Sequence, residues 1–89
     1  MPHIIQITIY GPGCPSCRNL IRFVREVASD AKIPIAITQD DNFEAYIERG
    51  ILRTPSLEIN GEIKSSGPLP PRQKLKSWLK TAAQYSSVK

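Results

Sequence analysis

The sequence predicts an α/β domain in which a four-stranded mixed sheet is flanked by three helices, in the order β-α-β-α-β-β-α. Three observations lead there. Runs rich in β-branched residues alternate with segments whose apolar residues recur at helical spacing. An Asn60-Gly61 pair stands between two alternating runs, the strongest short-range hairpin signal. All eight prolines, at 2, 12, 15, 34, 55, 68, 70 and 71, fall at element ends, at strand or helix starts, or in loops, where a missing N–H costs least.

Residues 4–10 are dense in β-branched and aromatic types and stop at Gly11-Pro12-Gly13, which makes them a strand followed by a loop. From Cys17 onward, 100° per residue gathers Cys17, Leu20, Ile21, Phe23, Val24, Val27 and Ala28 in one sector and Arg18, Asn19, Arg22, Arg25, Glu26, Ser29 and Asp30 in the other, an amphipathic helix. The stretch 33–39 reads as a second strand. Its near-continuous apolar character suits burial on both faces and parallel pairing with the first. Asp41-Asn42-Phe43-Glu44 resembles a capping box with Asp41 in the cap position, opening a short helix that Gly50 ends in a left-handed conformation. Ser56–Ile59 and Glu62–Ser65 flank Asn60-Gly61 as an antiparallel pair. After Gly67-Pro68-Leu69-Pro70-Pro71, a final helix groups Leu75, Trp78, Leu79 and Ala82. The tail 86–89 is expected to fray. A right-handed crossover is expected for the parallel pair.

The 89 residues, 40% hydrophobic and 22% charged, fit one small globular domain spanning 1–89. No apolar run approaches the ~20 residues of a bilayer span, and residues 1–8 do not form a signal-peptide core, so the expected location is the cytoplasm, with no membrane partner. The net charge of +4 arises at the C-terminal end. Lys64, Arg72, Lys74, Lys76, Lys80 and Lys89 have no acid among residues 63–89. No aromatic platform or nucleic-acid motif accompanies them, so they read as a solvated face rather than a nucleic-acid site. A monomer is expected.

The two cysteines form one C-x-x-C, Cys14-Pro15-Ser16-Cys17, at the junction of the first strand and the first helix. That position supplies unsatisfied backbone N–H groups and the positive end of the helix dipole, which stabilise a thiolate and make Cys14 the candidate nucleophile. Cys17, one turn on and on the apolar side, is placed to resolve a mixed disulfide formed at Cys14. Pro15 and Ser16 are candidate tuning residues, the proline by stiffening the first turn and the hydroxyl by donating toward a sulfur. Arg18 is placed to add positive potential at Cys14, although a solvated helix face accounts for it equally. Trp78, Phe43 and Tyr46 read as packing residues, Asp40 and Asp41 as helix-start acids, and Tyr10 as either a rim or a sheet-edge residue.

The strand–Cys-Pro-Ser-Cys–helix start, Thr54-Pro55 before the third strand, and the Asn60-Gly61 hairpin together resemble the thioredoxin fold in its short form, over nearly the whole chain. The approach Gly11-Pro12-Gly13-Cys14 is similar to that of small redox-active disulfide proteins of the thioredoxin-like and glutaredoxin-like kind. The resemblance implies that Pro55 is a cis-proline facing the cysteine pair. It also implies that the main chain of Thr54 pairs with a bound polypeptide, and that the Gly11, Pro12 and Gly13 loop helps to hold it. It further implies a thiol-disulfide oxidoreductase with no organic cofactor, a protein disulfide as substrate, and a reductase or small thiol to regenerate it. Two departures matter: Thr8 stands where thioredoxins keep a buried acid, and Ser65-Ser66-Gly67-Pro68-Leu69-Pro70 lacks the glutaredoxin pattern for glutathione.

Two other readings compete. A C-x-x-C is half of a tetrahedral metal site, but the single histidine is His3, before the first strand, so a metal would have to bridge two chains. Alternatively, the domain is a redox-sensing binding module that offers its basic C-terminal helix to a partner.

Overall fold

The computed structural model describes residues 4–11, 13 and 15–88, with 84–88 described by backbone alone. The elements are β1 (Ile5–Tyr10), α1 (Pro15–Asp30), β2 (Ile35–Asp40), α2 (Phe43–Glu48), β3 (Ser56–Ile59), β4 (Glu62–Ser66) and α3 (Arg72–Val88). Their order matches the expected β-α-β-α-β-β-α. The sheet order is β2-β1-β3-β4. β1 and β2 are parallel, β1 and β3 antiparallel, and β3 and β4 antiparallel.

Alternation along β1 builds the core. Ile5, Ile7 and Ile9 pack with Leu57 and Ile59 of β3 against Leu20, Val24, Val27 and Ala28 of α1 and Leu75 and Leu79 of α3. Thus α1 and α3 share one face of the sheet, and of the residues predicted for the apolar side of α1, Cys17, Leu20, Val24, Val27 and Ala28 are buried while Ile21 and Phe23 are partly buried against the core. Trp78 lies half-buried at the edge of this core. Arg72 ties the two helices together across their exposed edge through Glu26 and Asp30, pairs whose exposure leaves them a small energetic role.

Helix α1 ends by a device the sequence does not advertise. Lys32 adopts φ 58°, and the N–H groups of Lys32 and Ile33 donate to the carbonyls of Ser29 and Ala28 at 3.1 and 2.9 Å. This is the paired-carbonyl ending usually built on glycine. Pro34 follows, and β2 accordingly starts at Ile35 rather than 33.

β2 corrects one expectation. It is an edge strand, and its residues are half-buried or exposed. The strand covered on both faces is β3, all four of whose residues are buried. An apolar run signals burial but not which strand takes the centre, and here β1 takes β3 on its other side. The opposite face of the sheet carries α2, reached through an edge-to-face contact of Tyr10 with Tyr46 at 6.2 Å.

Helix α2 is capped by Asn42, whose Oδ1 accepts from the Glu44 N–H at 2.9 Å, and not by Asp41. The Asn42 N–H in turn donates to Asp40 Oδ1 at 2.9 Å, so Asp40 sets the turn and shifts the cap by one residue. Gly50 has φ +70° at the far end, as expected. Phe43 is 71% exposed and does not pack on the sheet as predicted, because a six-residue helix touching the sheet through Tyr46 turns Phe43 and Ile47 outward. The hairpin turn has Asn60 at φ 49° and Gly61 at φ 87°, the doubly left-handed turn that the Asn-Gly pair selects. A bulge between Leu57 and Glu58 offsets β4 by one residue. Helix α3 runs to Val88, into the tail expected to fray, since no glycine or proline interrupts 72–88; Lys89 lies outside the described residues. Among the described residues, no helix is long and apolar enough to cross a membrane.

Candidate active site

The exit of β1 and the entry of β3 lie side by side, because Tyr10 pairs with Ser56 at the end of the antiparallel ladder. The residue after Tyr10 is Gly11, and the residue before Ser56 is Pro55. The helix that follows β1 starts at Pro15, so three segments converge at one end of the sheet.

Gly11 is the point of closest approach. A Cβ on Gly11 would sit 2.2 Å from Cys17 Sγ and 3.8 Å from the Cα of Pro55. Glycine is therefore required there by space, and the missing side chain lets the Cys17 sulfur rest on the main chain between β1 and β3. Cys17 is 0% exposed, on the core side of α1. The Thr54-Pro55 peptide is cis. Pro55 is buried and Thr54 exposed. Ser56 fixes this turn: its Oγ lies 2.7 Å from the Arg53 carbonyl and 2.9 Å from Ser66 Oγ, and the Gly67 N–H donates to the Pro55 carbonyl at 2.9 Å.

Of the other residues singled out in the sequence, Pro15 opens α1 and is exposed, as is Ser16. Ser16 lines a small cleft of about 120 Å³ with Asn19, Pro55, Gly67, Pro68 and Leu69. Arg18 is exposed on the helix face, and its Nε donates to the Gly13 carbonyl at 3.4 Å. Gly13 itself lies against Gln39 at the end of β2. Cys14 and Pro12 lie outside the described residues, as does His3. By sequence, Cys14 directly precedes the first residue of α1.

Two groupings escaped the sequence reading. Arg53 lies along Gly67, its Cδ and Nε 3.6 and 3.7 Å from the position a Cβ would take there. On the α2 face, Tyr10 Oη donates to Glu58 Oε1 at 3.0 Å and Arg49 pairs with the same oxygen while donating to the Gly61 carbonyl at 2.9 Å. Glu58 is 8% exposed, and its charge is matched by these partners. Burial first, and then the hydrogen bond to Glu58, raise the Tyr10 phenol above its ordinary value. Tyr10 is thus a sheet-face residue bonded to a buried acid, not a rim residue. Both groupings join residues far apart in the chain, and only the strand pairing reveals them.

Comparison with known proteins bears on this end of the sheet. A family model described as a thioredoxin domain matches residues 5–80. A thioredoxin of Methanothermobacter thermautotrophicus is 28% identical over 76 residues, covering 85% of this chain and 99% of that protein. The crystal structure of the J-Trx1 fragment of ERdj5 superposes with a TM-score of 0.58 at 18% identity, covering 91% of this chain but only 44% of that one, a likeness of fold. The family match takes in β1 with its glycine exit, all of α1, and the Thr54-Pro55 entry to β3, and on that span the chain belongs to the thioredoxin domain family.

Proposed function

We propose that the chain is a thiol-disulfide oxidoreductase in which Cys14 is the nucleophile and Cys17 the resolving thiol. The observation that carries this reading is the seat of Cys17. Its sulfur is shielded in the core, pressed on Gly11, and one helical turn after Cys14 in sequence, beside the cis Thr54-Pro55 peptide. A thiol so placed is poor at attacking solvent-borne disulfides but well placed to attack one formed on its neighbour.

The Cys14 thiolate attacks one sulfur of the substrate disulfide, forming a Cys14–substrate disulfide and releasing the other substrate sulfur as a thiolate. Cys17 gives up its proton and attacks the Cys14 sulfur, releasing the second substrate thiolate. Two electrons pass from the Cys14–Cys17 dithiol to the substrate, whose two thiolates take up protons from water, and a Cys14–Cys17 disulfide remains. A reductase or a small thiol returns it to the dithiol. The start of α1 offers backbone N–H groups to the attacking thiolate, and the main chain of Thr54, an exposed residue, offers an edge for an extended substrate segment.

The cysteine variants test this. Cys14→Ser abolishes catalysed disulfide reduction, whereas Cys17→Ser accumulates a mixed disulfide with substrate, visible by mass spectrometry under non-reducing conditions. Full activity in Cys14→Ser would overturn the assignment.

A further inference from the structure

Two arginines stand on opposite sides of the site. On the β2 side, Arg18 reaches the carbonyl of Gly13, which itself lies against Gln39. On the β4 side, Arg53 lies along Gly67, a wall of the cleft that also includes Ser16 and Pro55. Among the described residues, neither arginine makes an ion pair, whereas Arg49 and Arg72 each hold acids. The nearest acids in sequence to the glycine loop's partner strand are Asp40 and Asp41; Asp40 is engaged by the Asn42 N–H, and Asp41 lines the cleft on the α2 side.

The backbone of Arg53 is anchored at the site. Its carbonyl is hydrogen-bonded to the buried Ser56, and its side-chain stem is packed on Gly67. The side chain is exposed, so its guanidinium is open to a ligand, and a planar guanidinium recognises carboxylates through two parallel N–H groups. A cation kept unpaired beside a cleft raises the local concentration of anionic groups.

We propose that Arg53 is a specificity-determining residue that favours substrates carrying an acidic side chain beside the disulfide, with Arg18 adding to the same field. This rests on the oxidoreductase reading. The Thr54 main chain aligns the substrate segment next to Arg53, so a carboxylate one or two residues from the substrate disulfide meets the guanidinium during attack by Cys14. The covalent steps are unchanged.

Single-turnover reduction by the pre-reduced full chain tests it, with three synthetic disulfide peptides that differ only in flanking glutamate, glutamine or lysine. At low ionic strength the glutamate peptide reacts about three- to fivefold faster than the glutamine peptide, the range expected of one partly exposed charge pair, and the lysine peptide more slowly than either. In Arg53→Gln the glutamate-to-glutamine ratio falls toward one, Arg53→Lys keeps part of it, and in the wild type added salt collapses it. Equal rates for the three peptides, or an unchanged ratio in Arg53→Gln, overturn the proposal while leaving the oxidoreductase reading in place. Failure of the reduced wild-type chain to reduce any of the three overturns both.

Discussion

Replacing Gly11 by alanine probes the heart of the site. Its Cβ would come within 2.2 Å of Cys17 Sγ, against the ~3.5–4.0 Å of ordinary contact between heavy atoms, a shortfall of roughly 1.3 Å or more. Cys17 has one side-chain torsion with which to retreat, and in a helix one of its three rotamers is largely closed. The sulfur is fully buried, with α1 behind it. Overpacking of this kind costs about 1–3 kcal/mol, which for a domain of this size lowers the melting temperature by about 5–20 °C. A displaced Cys17 should also slow resolution of the mixed disulfide, with ~10²-fold as the scale for a 1 Å misplacement. Thermal unfolding followed by circular dichroism, repeated in a Cys17→Ala background, isolates the cause. There the sulfur is gone and the nearest atom is the residue 17 Cβ at 3.6 Å, an ordinary contact. Gly11→Ala then becomes neutral, or gains up to ~1 kcal/mol from a stiffer unfolded chain. A cost equal in both backgrounds, or none in the wild type, would refute the packing argument.

Two further outcomes follow from the sheet. Because the folded state raises the Tyr10 phenol, its contribution to stability is complete below the ordinary tyrosine value near ~10 and is lost as pH rises through the raised one. Urea midpoints measured up to about pH 11 should therefore fall more steeply in the wild type than in Tyr10→Phe; parallel curves would remove Tyr10 from the alkaline response. Leu20→Ala, at a site 1% exposed, should lower unfolding free energy by about 2–5 kcal/mol, whereas Leu52→Ala, at a site 95% exposed, should stay within ~0.5 kcal/mol in the same denaturation assay.

The order of elements, the buried side of α1 and the Asn60-Gly61 turn were legible because each depends on local periodicity or turn chemistry. Cys17 and Gly11 were legible as site residues by motif and resemblance, yet nothing in the sequence placed the glycine against the sulfur. The central place of β3, the edge place of β2, and the meeting of Arg49, Tyr10 and Glu58 depend on strand order, to which local pattern is blind. Phe43 was misread for a related reason: an apolar residue in a short helix packs only if the helix presents that side to the sheet, and Tyr46 holds α2 otherwise. The cap moved from Asp41 to Asn42 because Asp40 captured the Asn42 N–H first.

The pairing of Tyr10 with Ser56 ties the two halves of the site, some 45 positions apart in the chain, to a single rung of the antiparallel ladder. Gly11 and Pro55 leave that rung in neighbouring strands, so their spacing is set by the hydrogen-bonded frame and not by the 40-odd residues between them. The edge strand and short helix in that interval can drift in length and composition while the sulfur keeps its seat. A one-residue slip between β1 and β3, by contrast, would move Gly11 and the Cys17 sulfur out of step with Pro55 and turn the β3 core residues to the other face at the same time. Redox competence and correct folding are therefore checked by the same register, and a misaligned chain would lose both together.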